Sequence, residues 1–316
     1  MAMLWGSTFV VTKDAMTTIP AADLLAVRYT IALGVLVVFM WRHVAMSRRT
    51  AWQGAIMGIL FSIGQLTLTF GLASTDASVS GFLTGTYVIF TPLLASLLWK
   101  RRMSRNIWRA VALAIFGLGI LSAVPSEGSS GFGIGAILTL ISAAAFAGHI
   151  LATGRFATPA NARSLTLAQT SVLVVLSWTL ALPGGVVLPV GTSQWLVVLY
   201  LAVIAGAATL FLQNWAQAYV EPTKAAVVMV SEPVWAAVFA VALGAESLTW
   251  QMVVGGAAII GAMYLVSGRA PVLRLPGIVP PRGVHRGLDR LAAARSRRGI
   301  DLGYRVSIQA AVRQRT

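Results

Sequence analysis

The sequence predicts an all-α membrane protein with ten transmembrane helices in two inverted five-helix repeats. Three observations lead to this prediction. Of the 316 residues 57% are hydrophobic and 10% are charged, whereas soluble domains carry about 25% charged residues. Uncharged runs of about 20 residues, long enough to cross ~30 Å of hydrocarbon, recur along the chain. The second half of the chain also repeats the first. A β-barrel would need alternating segments, and these runs do not alternate.

Uncharged runs and the breaks between them divide the chain into helices. The run Ser164–Val220 contains no Asp, Glu, Lys or Arg and is long enough for two crossings, and Leu182–Gly185 with Pro189 supplies the break. The other uncharged runs are Thr50–Thr75, Ala77–Trp99, Gly128–Gly154 and Ser247–Gly268. With the shorter runs, the predicted spans are 2–18, 21–41, 52–73, 77–99, 106–124, 132–154, 164–183, 192–217, 223–244 and 249–267.

The first span looks like the middle of a membrane helix. Apolar Trp5 and Phe9 flank small residues only a few positions from Met1. The segment has no basic n-region and no small-residue cleavage site, so we expect a retained helix rather than a signal peptide. Its counterpart in the second half has about fifteen apolar or small residues before the equivalent position, which favours missing first turns in this span; a naturally short helix is the alternative.

The basic residues predict the orientation. Cytoplasmic flanks of membrane spans retain Lys and Arg. Placing the N-terminus in the cytoplasm puts 22 of the 24 Lys and Arg residues on the cytoplasmic side and leaves Lys13 and Arg28 opposite. We therefore expect a multi-pass protein of a bacterial plasma (inner) membrane with both termini cytoplasmic.

The C-terminal tail, 268–316, is predicted to be cytoplasmic, Arg-rich and mostly disordered. It contains eleven arginines and only two acids, Asp289 and Asp301. Nucleic acid is one partner for such a charge, but a tail beside anionic lipid gains on the order of 1 kcal/mol per basic residue. We therefore expect the lipid bilayer as its partner and no nucleic acid.

An internal repeat relates the two halves. The segment around Pro92 matches that around Pro233 at an offset of 141 residues, and Trp108 matches Trp250 at an offset of 142. We therefore predict one repeat at 1–124 and a second at 132–267. Because five helices are an odd number, the second copy enters the membrane from the opposite side, as in many secondary transporters.

Five sequence segments carry a family resemblance. They are WGSTF, LLAVRYTIA, ASVSGFLTGTYVIFTPLLASLL, YVEPTKAAVVMVSEPVWAAVFA and GGAAIIGAMYL. In this order and spacing the chain, over about residues 1–267, resembles the EamA-type branch of the drug/metabolite transporter superfamily. The resemblance implies ten helices in two inverted repeats and transport of small metabolites, such as amino acids, through a central cavity. The short first span and the long tail depart from the family pattern.

Two charged residues inside predicted spans are candidates for the transport pathway, because intramembrane charge is costly. Glu232 precedes Pro233, which removes a helix hydrogen bond and frees a carbonyl; it either takes up a proton or is permanently paired. In the first repeat its equivalent is Thr91, so the pseudo-symmetry is broken there. Arg28 either snorkels to the outer headgroups or binds a substrate carboxylate.

Uncharged polar side chains complete the predicted substrate-binding set. His149 either relays protons or is a packing residue. Gln213 and Gln217 share a helix face that should line water or a ligand, unless the amides only join helices. The predicted set around a midplane cavity is Trp5, Gln65, Tyr87, His149, Gln213, Gln217 and Glu232. Glycine pairs such as Gly54 and Gly58 are predicted to let helices touch.

The sequence lacks the features of an enzyme. It has no HExxH, GxSxG or Walker motif, no cysteine and no carboxylate pair at catalytic spacing. We expect no catalytic residue, no cofactor and no metal. The predicted function is secondary transport of a small-molecule substrate, with export favoured and Glu232 as the candidate group for proton coupling. Two alternatives stay open: an uncoupled facilitator of the same fold, and a membrane scaffold that acts through its basic tail.

Overall fold

The computed structural model describes residues 1–75, 77–100, 104–122, 133–232, 234–235, 238–239 and 248–267. All regular secondary structure in these ranges is helical. The tail at 268–316 lies outside the described residues, as does much of the predicted span 223–244. The prediction of a disordered tail therefore concerns residues that the structure does not describe.

The helices are numbered along the chain, and pieces that follow one another with at most one residue between them share a label. They are α1 (Ala2–Gly6 and Thr8–Ala15), α2 (Ala21–Met40), α3 (Arg48–Ala73), α4 (Ala77–Gly85 and Tyr87–Trp99), α5 (Arg105–Ser122), α6 (Ile134–Phe156), α7 (Ala162–Ala181), α8 (Gly191–Leu199, the π-helix Tyr200–Ala208, and Thr209–Gln217), α9 (Pro222–Met229) and α10 (Trp250–Ser267).

The described part of the chain contains five helices that are long and apolar enough to cross a membrane. They are α2, α3, α6, α7 with the 3₁₀ turn that follows it, and α8. Large apolar side chains point outward along these and other helices; Phe39 and Tyr264, for example, are 77% and 80% exposed. An apolar outer surface is expected where lipid is the solvent. The all-α membrane class is confirmed, whereas ten crossings and their inversion stay predictions.

Local chemistry explains several helix ends. The Ser47 hydroxyl accepts a hydrogen bond from the Thr50 backbone N–H at 3.0 Å, which caps α3. This helix begins four residues before the predicted start at residue 52, because Arg48 and Arg49 interrupt the uncharged run but not the helix. Glu221 precedes α9, and Pro222 occupies its first position, where a missing N–H costs nothing.

Two short interruptions in α1 and α4 were not predicted. At the first, the Ser7 hydroxyl donates to the Leu4 carbonyl at 2.7 Å. At the second, the Thr86 hydroxyl donates to the Leu83 carbonyl at 2.5 Å. Such side chain to backbone hydrogen bonds compete with the regular helical ladder.

Two buried apolar clusters organise the bundle, and each contains helices from both halves of the chain. One is built from α4, α5, α6, α9 and α10, with Tyr87 and Leu118 among its members. The other is built from α2, α3, α7 and α8, with Leu25 and Leu210 among its members. Phe146 on α6 packs against both clusters. Two smaller clusters, around Ile19 and Leu201 and around Met57 and Leu165, complete the buried interior of the described residues.

The helix pairings agree with a two-fold relation between the halves. A repeat of five helices makes α2 equivalent to α7 and α5 equivalent to α10, and both pairs pack together. The contact of α3 with α7 likewise has its equivalent in the contact of α2 with α8. These pairings are what a two-fold axis between the repeats produces, although contacts alone do not fix which way each helix crosses the bilayer.

Close contact between α3 and α7 depends on glycine. A Cβ at Gly54 would clash with the Ala168 side chain, and a Cβ at Gly58 would lie 2.7 Å from Val172 Cβ and 2.8 Å from the Gln169 carbonyl oxygen. The predicted role of this glycine pair in helix contact is thus confirmed. It brings α3 against the helix that carries Gln169.

Candidate functional site

A cavity of about 70 Å³, partly open to the outside, lies among α1, α2, α3, α4, α6, α8 and α9. Most of its wall surface is apolar, with polar side chains between the apolar ones, as in most small-molecule sites. The lining residues are Trp5, Thr8, Phe9, Thr12, Arg28, Phe61, Gln65, Leu68, Thr69, Leu72, Thr84, Tyr87, Phe146, His149, Ile150, Gln213, Met229 and Glu232. Six of the seven predicted substrate-binding residues are brought together here, although their role in binding stays a prediction.

Gln217 is the exception. Its side chain is 3% exposed and does not line the cavity. Its Nε2 donates to the Ile150 carbonyl at 3.2 Å, and its Oε1 accepts from Gln213 Nε2 at 3.3 Å. The amide is therefore used between α8 and α6, and Gln217 supports Gln213 from behind.

Gln213 lines the cavity with an amide that is only partly hydrogen-bonded. Its Nε2 bonds to Gln217, whereas its buried Oε1 has no hydrogen-bond partner. The neighbouring Asn214 faces α7 instead, where its Nδ2 donates to Thr166 Oγ1 at 2.8 Å. The amide-rich end of α8 thus serves two purposes: Asn214 joins helices, and Gln213 faces the cavity.

His149 is held by an amide on α7. Its Nε2 lies 2.9 Å from Gln169 Oε1, so in this amide orientation Nε2 is the donor. The imidazole packs on the Phe61 ring with 4.9 Å between the centroids. These contacts fix the ring at the cavity wall, so the packing and the cavity-lining interpretations of His149 both apply.

Two further side chains reach the cavity wall. Tyr87 lies on α4, and Glu232 lies in the segment that follows α9. The Glu232 side chain is 9% exposed, and no ion pair joins it to another described residue. This is contrary to the alternative of a permanent partner. The Tyr87 hydroxyl is buried and likewise has no hydrogen-bond partner in the described part of the chain. The Glu232 carboxyl is thus accessible from the cavity, whereas the Tyr87 hydroxyl lies beneath its surface.

Trp5 connects α1 to α8. Its indole Nε1 donates to Thr209 Oγ1 at 3.0 Å. Thr209 is the first residue after the π-helix of α8, and its hydroxyl also donates to the Ala205 carbonyl at 2.7 Å. The Trp5 ring is thereby held at the cavity wall.

Arg28 does not snorkel to the outer headgroups. It is 5% exposed and lines the cavity. Its Nε donates to the Leu201 carbonyl at 3.0 Å and its Nη2 to the Ala205 carbonyl at 3.5 Å. Both acceptors belong to the π-helix, whose wider turn displaces the regular hydrogen bonds and often marks a functional site. No local sequence feature predicted this π-helix.

The internal repeat supplies the signal for several lining residues that were missed. Adding the offset of 141 to Thr8 gives His149, and subtracting it from Gln213 gives Leu72; all four line the cavity. Trp5 and Phe146 are related in the same way. The cavity therefore lies close to the axis that relates the repeats, and residues equivalent to a predicted lining residue were themselves good candidates.

A metal site finds no support in the described ranges. No group of three or more His, Cys, Asp or Glu side chains in them could hold a metal ion. Polar and aromatic groups thus supply the chemistry of the cavity wall.

Comparisons with known proteins agree with this arrangement. The sequence profile of the EamA-like transporter family matches twice, at residues 1–123 and 133–268. An "Uncharacterized transporter" of Archaeoglobus fulgidus is 32% identical over 272 residues, which cover 85% of this chain and 84% of that protein. A solved crystal structure, described only as that of a protein, superposes with a TM-score of 0.69 at 19% identity, covering 84% of this chain and 93% of its own. This last likeness concerns the fold alone.

Proposed function

The chain belongs to the EamA-like transporter family, and from that premise we propose that it is a secondary transporter that exports small metabolites such as amino acids. Membrane transport rather than enzymatic catalysis is also what the name of its relative from Archaeoglobus fulgidus indicates. The direction of transport and the substrate class are the parts that we propose.

The observation that carries the proposal is the cavity. It is lined by both repeats, its wall is mainly apolar, and its unpaired polar atoms are buried among helices rather than in contact with lipid. Polar groups at this depth are costly unless they serve a ligand or water. In many secondary transporters the solute site lies between two repeats, and the site opens alternately to each side as one part of the protein moves against the other.

The two larger apolar clusters suggest which parts move. Sliding one repeat against the other would disrupt both apolar clusters, because each cluster contains helices of both halves. Moving the α2–α3–α7–α8 bundle against the bundle of α4, α5, α6, α9 and α10 would preserve both. We therefore propose that these two mixed bundles rock against each other along the contact of α3 with α6, opening the cavity to either side.

Orientation and energy source complete the proposal. The distribution of Lys and Arg favours cytoplasmic termini in a bacterial plasma membrane. Glu232 is an unpaired acid at the cavity wall, so proton uptake there would accompany the change in its exposure. A proton gradient can thus drive export through a site that needs no cofactor.

The test compares metabolites in medium and cells, with and without expression of the protein, followed by flux measurements in proteoliposomes at two external pH values. We expect at least one small polar or amphipathic metabolite to accumulate in the medium, with flux that depends on the pH gradient. Unchanged metabolite profiles, together with no flux in proteoliposomes, would refute transport.

Two variants separate the alternatives. Glu232→Gln should abolish the pH dependence; intact, gradient-independent flux in both the wild type and this variant would indicate an uncoupled facilitator. Deletion of residues 269–316 should leave flux intact. If that deletion abolished function while cavity substitutions had no effect, the protein would instead act as a scaffold through its tail.

A further inference from the structure

The Arg28 guanidinium is a buried cation that faces the cavity without an acid partner. No described carboxylate lies within 4.0 Å of it. The Tyr29 ring, whose centroid is 5.0 Å from Arg28 Cζ, and the two backbone carbonyls on α8 are its contacts. These groups stabilise the charge but do not neutralise it. Buried charges in membrane spans pair with an opposite charge or with backbone carbonyls, and among the described residues Arg28 has only the carbonyls.

The two hydrogen bonds use one edge of the guanidinium. Nε and Nη2 share that edge, which faces the Leu201 and Ala205 carbonyls. On the other edge, formed by Nη1 and Nη2, Nη1 has no hydrogen-bond acceptor among the described residues, and Arg28 as a whole lines the cavity. Two parallel N–H groups on one edge match the two oxygens of a carboxylate.

The rest of the wall restricts what else the solute can carry. Among the described lining residues, Glu232 is the only acid and Arg28 the only cation. Gln213 lines the same wall, and Phe9, Phe61 and other apolar side chains complete it. A small solute with a carboxylate could pair with Arg28, and its apolar body would contact the apolar wall. An ammonium group on the same solute could pair with Glu232.

We infer that Arg28 is the carboxylate-binding residue of the cavity and that the transported solute carries a carboxylate. This inference rests on the proposed function, since it assigns a chemical class to the solute of the same site. Its physical basis is that the α2–α8 contact holds the guanidinium in place before the solute arrives. Little ordering of the side chain then opposes binding.

Probes of constant shape and different charge test the inference on the purified full-length protein. The first set is L-leucine, 4-methylpentanoate, L-leucinamide and isoamylamine, and the second set places the same four combinations of functional groups on a benzyl skeleton. The measurement is the shift in thermal unfolding with probe concentration. In at least one set we expect both carboxylate probes to stabilise the wild type and both probes without a carboxylate to do so at least about tenfold more weakly.

Variants then assign the effect to Arg28. Arg28→Gln should weaken the carboxylate probes by about tenfold to a hundredfold. Arg28→Lys, which keeps the charge but loses the bidentate edge, should fall between the two. Arg42→Gln is the matched control: it removes a cation from an exposed position beside Trp41 and should leave probe binding unchanged.

The outcomes separate this inference from the proposed function. It is overturned if no carboxylate probe stabilises the wild type, if the amine probes stabilise it equally, or if Arg28→Gln keeps the full response. Should Arg28→Gln fail to fold, the charge series on the wild type still decides. Flux of solutes without a carboxylate would overturn the inference but not transport, whereas Arg28-dependent binding without any flux would overturn transport alone.

Discussion

The contact between α3 and α7 offers a quantitative test of the structure. Gly58 lies where an added Cβ would be 2.7 Å from Val172 Cβ, 2.8 Å from the Gln169 carbonyl oxygen and 3.0 Å from Gln169 Cα. Two of these atoms are backbone, so no flexible side chain can simply move aside. Gly58→Ala must then push the helices apart, and overpacking of this kind costs about 1–3 kcal/mol.

Gly34 on α2 is the matched control, because nothing lies within 4 Å of its added Cβ. Gly34→Ala should be neutral or stabilise its helix by up to about 1 kcal/mol. The free energies of unfolding of the two variants should therefore differ by about 1–4 kcal/mol. Denaturant unfolding in mixed micelles measures this difference. If Gly58→Ala is as stable as Gly34→Ala, then α3 and α7 are not in the contact described, and the wall that carries Phe61 and His149 is misplaced.

The remaining predictions concern hydrogen bonds at and near the cavity. Tyr87→Phe should leave the free energy of unfolding unchanged or slightly higher, because the buried hydroxyl has no partner; a loss of stability would show that the hydroxyl is paired. Trp5→Phe should lose the hydrogen bond to Thr209 and about 0.6 kcal/mol of stability, and the proteoliposome KM should rise. Asn214→Ala should lower the free energy of unfolding by a similar amount, because it removes the hydrogen bond to Thr166. The KM should stay unchanged, and an altered KM would show that Asn214 contributes to the solute site.

Hydrophobic runs were sufficient to predict where the helices lie but not their internal breaks. The predicted span 21–41 agrees with Ala21–Met40. Pro20 marks the start of this helix, and the basic residues from Arg42 onward mark its end. The π-helix Tyr200–Ala208 was not predicted, since its sequence YLAVIAGAA differs in no local property from an α-helical run. Its turn is stabilised by Arg28, a residue 173 positions away from Leu201 in the chain. Contacts over such distances cannot be derived from local pattern.

The candidate site shows the same division between local and long-range information. We predicted Gln65, His149 and Glu232 as cavity residues because a polar side chain inside a membrane span is costly when it is exposed to lipid. Arg28 was ambiguous, because its long side chain permits snorkelling as well as burial. Apolar lining residues such as Phe61 could not be distinguished from core residues, since a cavity wall and a packed core select the same side chains.

Two of the buried polar atoms without a partner in the described part of the chain, on Tyr87 and Gln213, belong to residues that line the cavity, whereas those on Ser142, Gln169, Ser177 and Asn214 do not. A buried hydroxyl or amide oxygen without a partner costs about 1–3 kcal/mol, and a bundle selected only for stability would replace Tyr87 and Gln213 by Phe and Leu. Leu does occur at residue 72, the position equivalent to Gln213 in the first repeat. The second repeat thus carries a polar group where the first is apolar, as Glu232 replaces Thr91. An asymmetric set of unpaired groups around a pseudo-symmetric cavity is the arrangement that an asymmetric solute requires, because each of its ends must find a different partner.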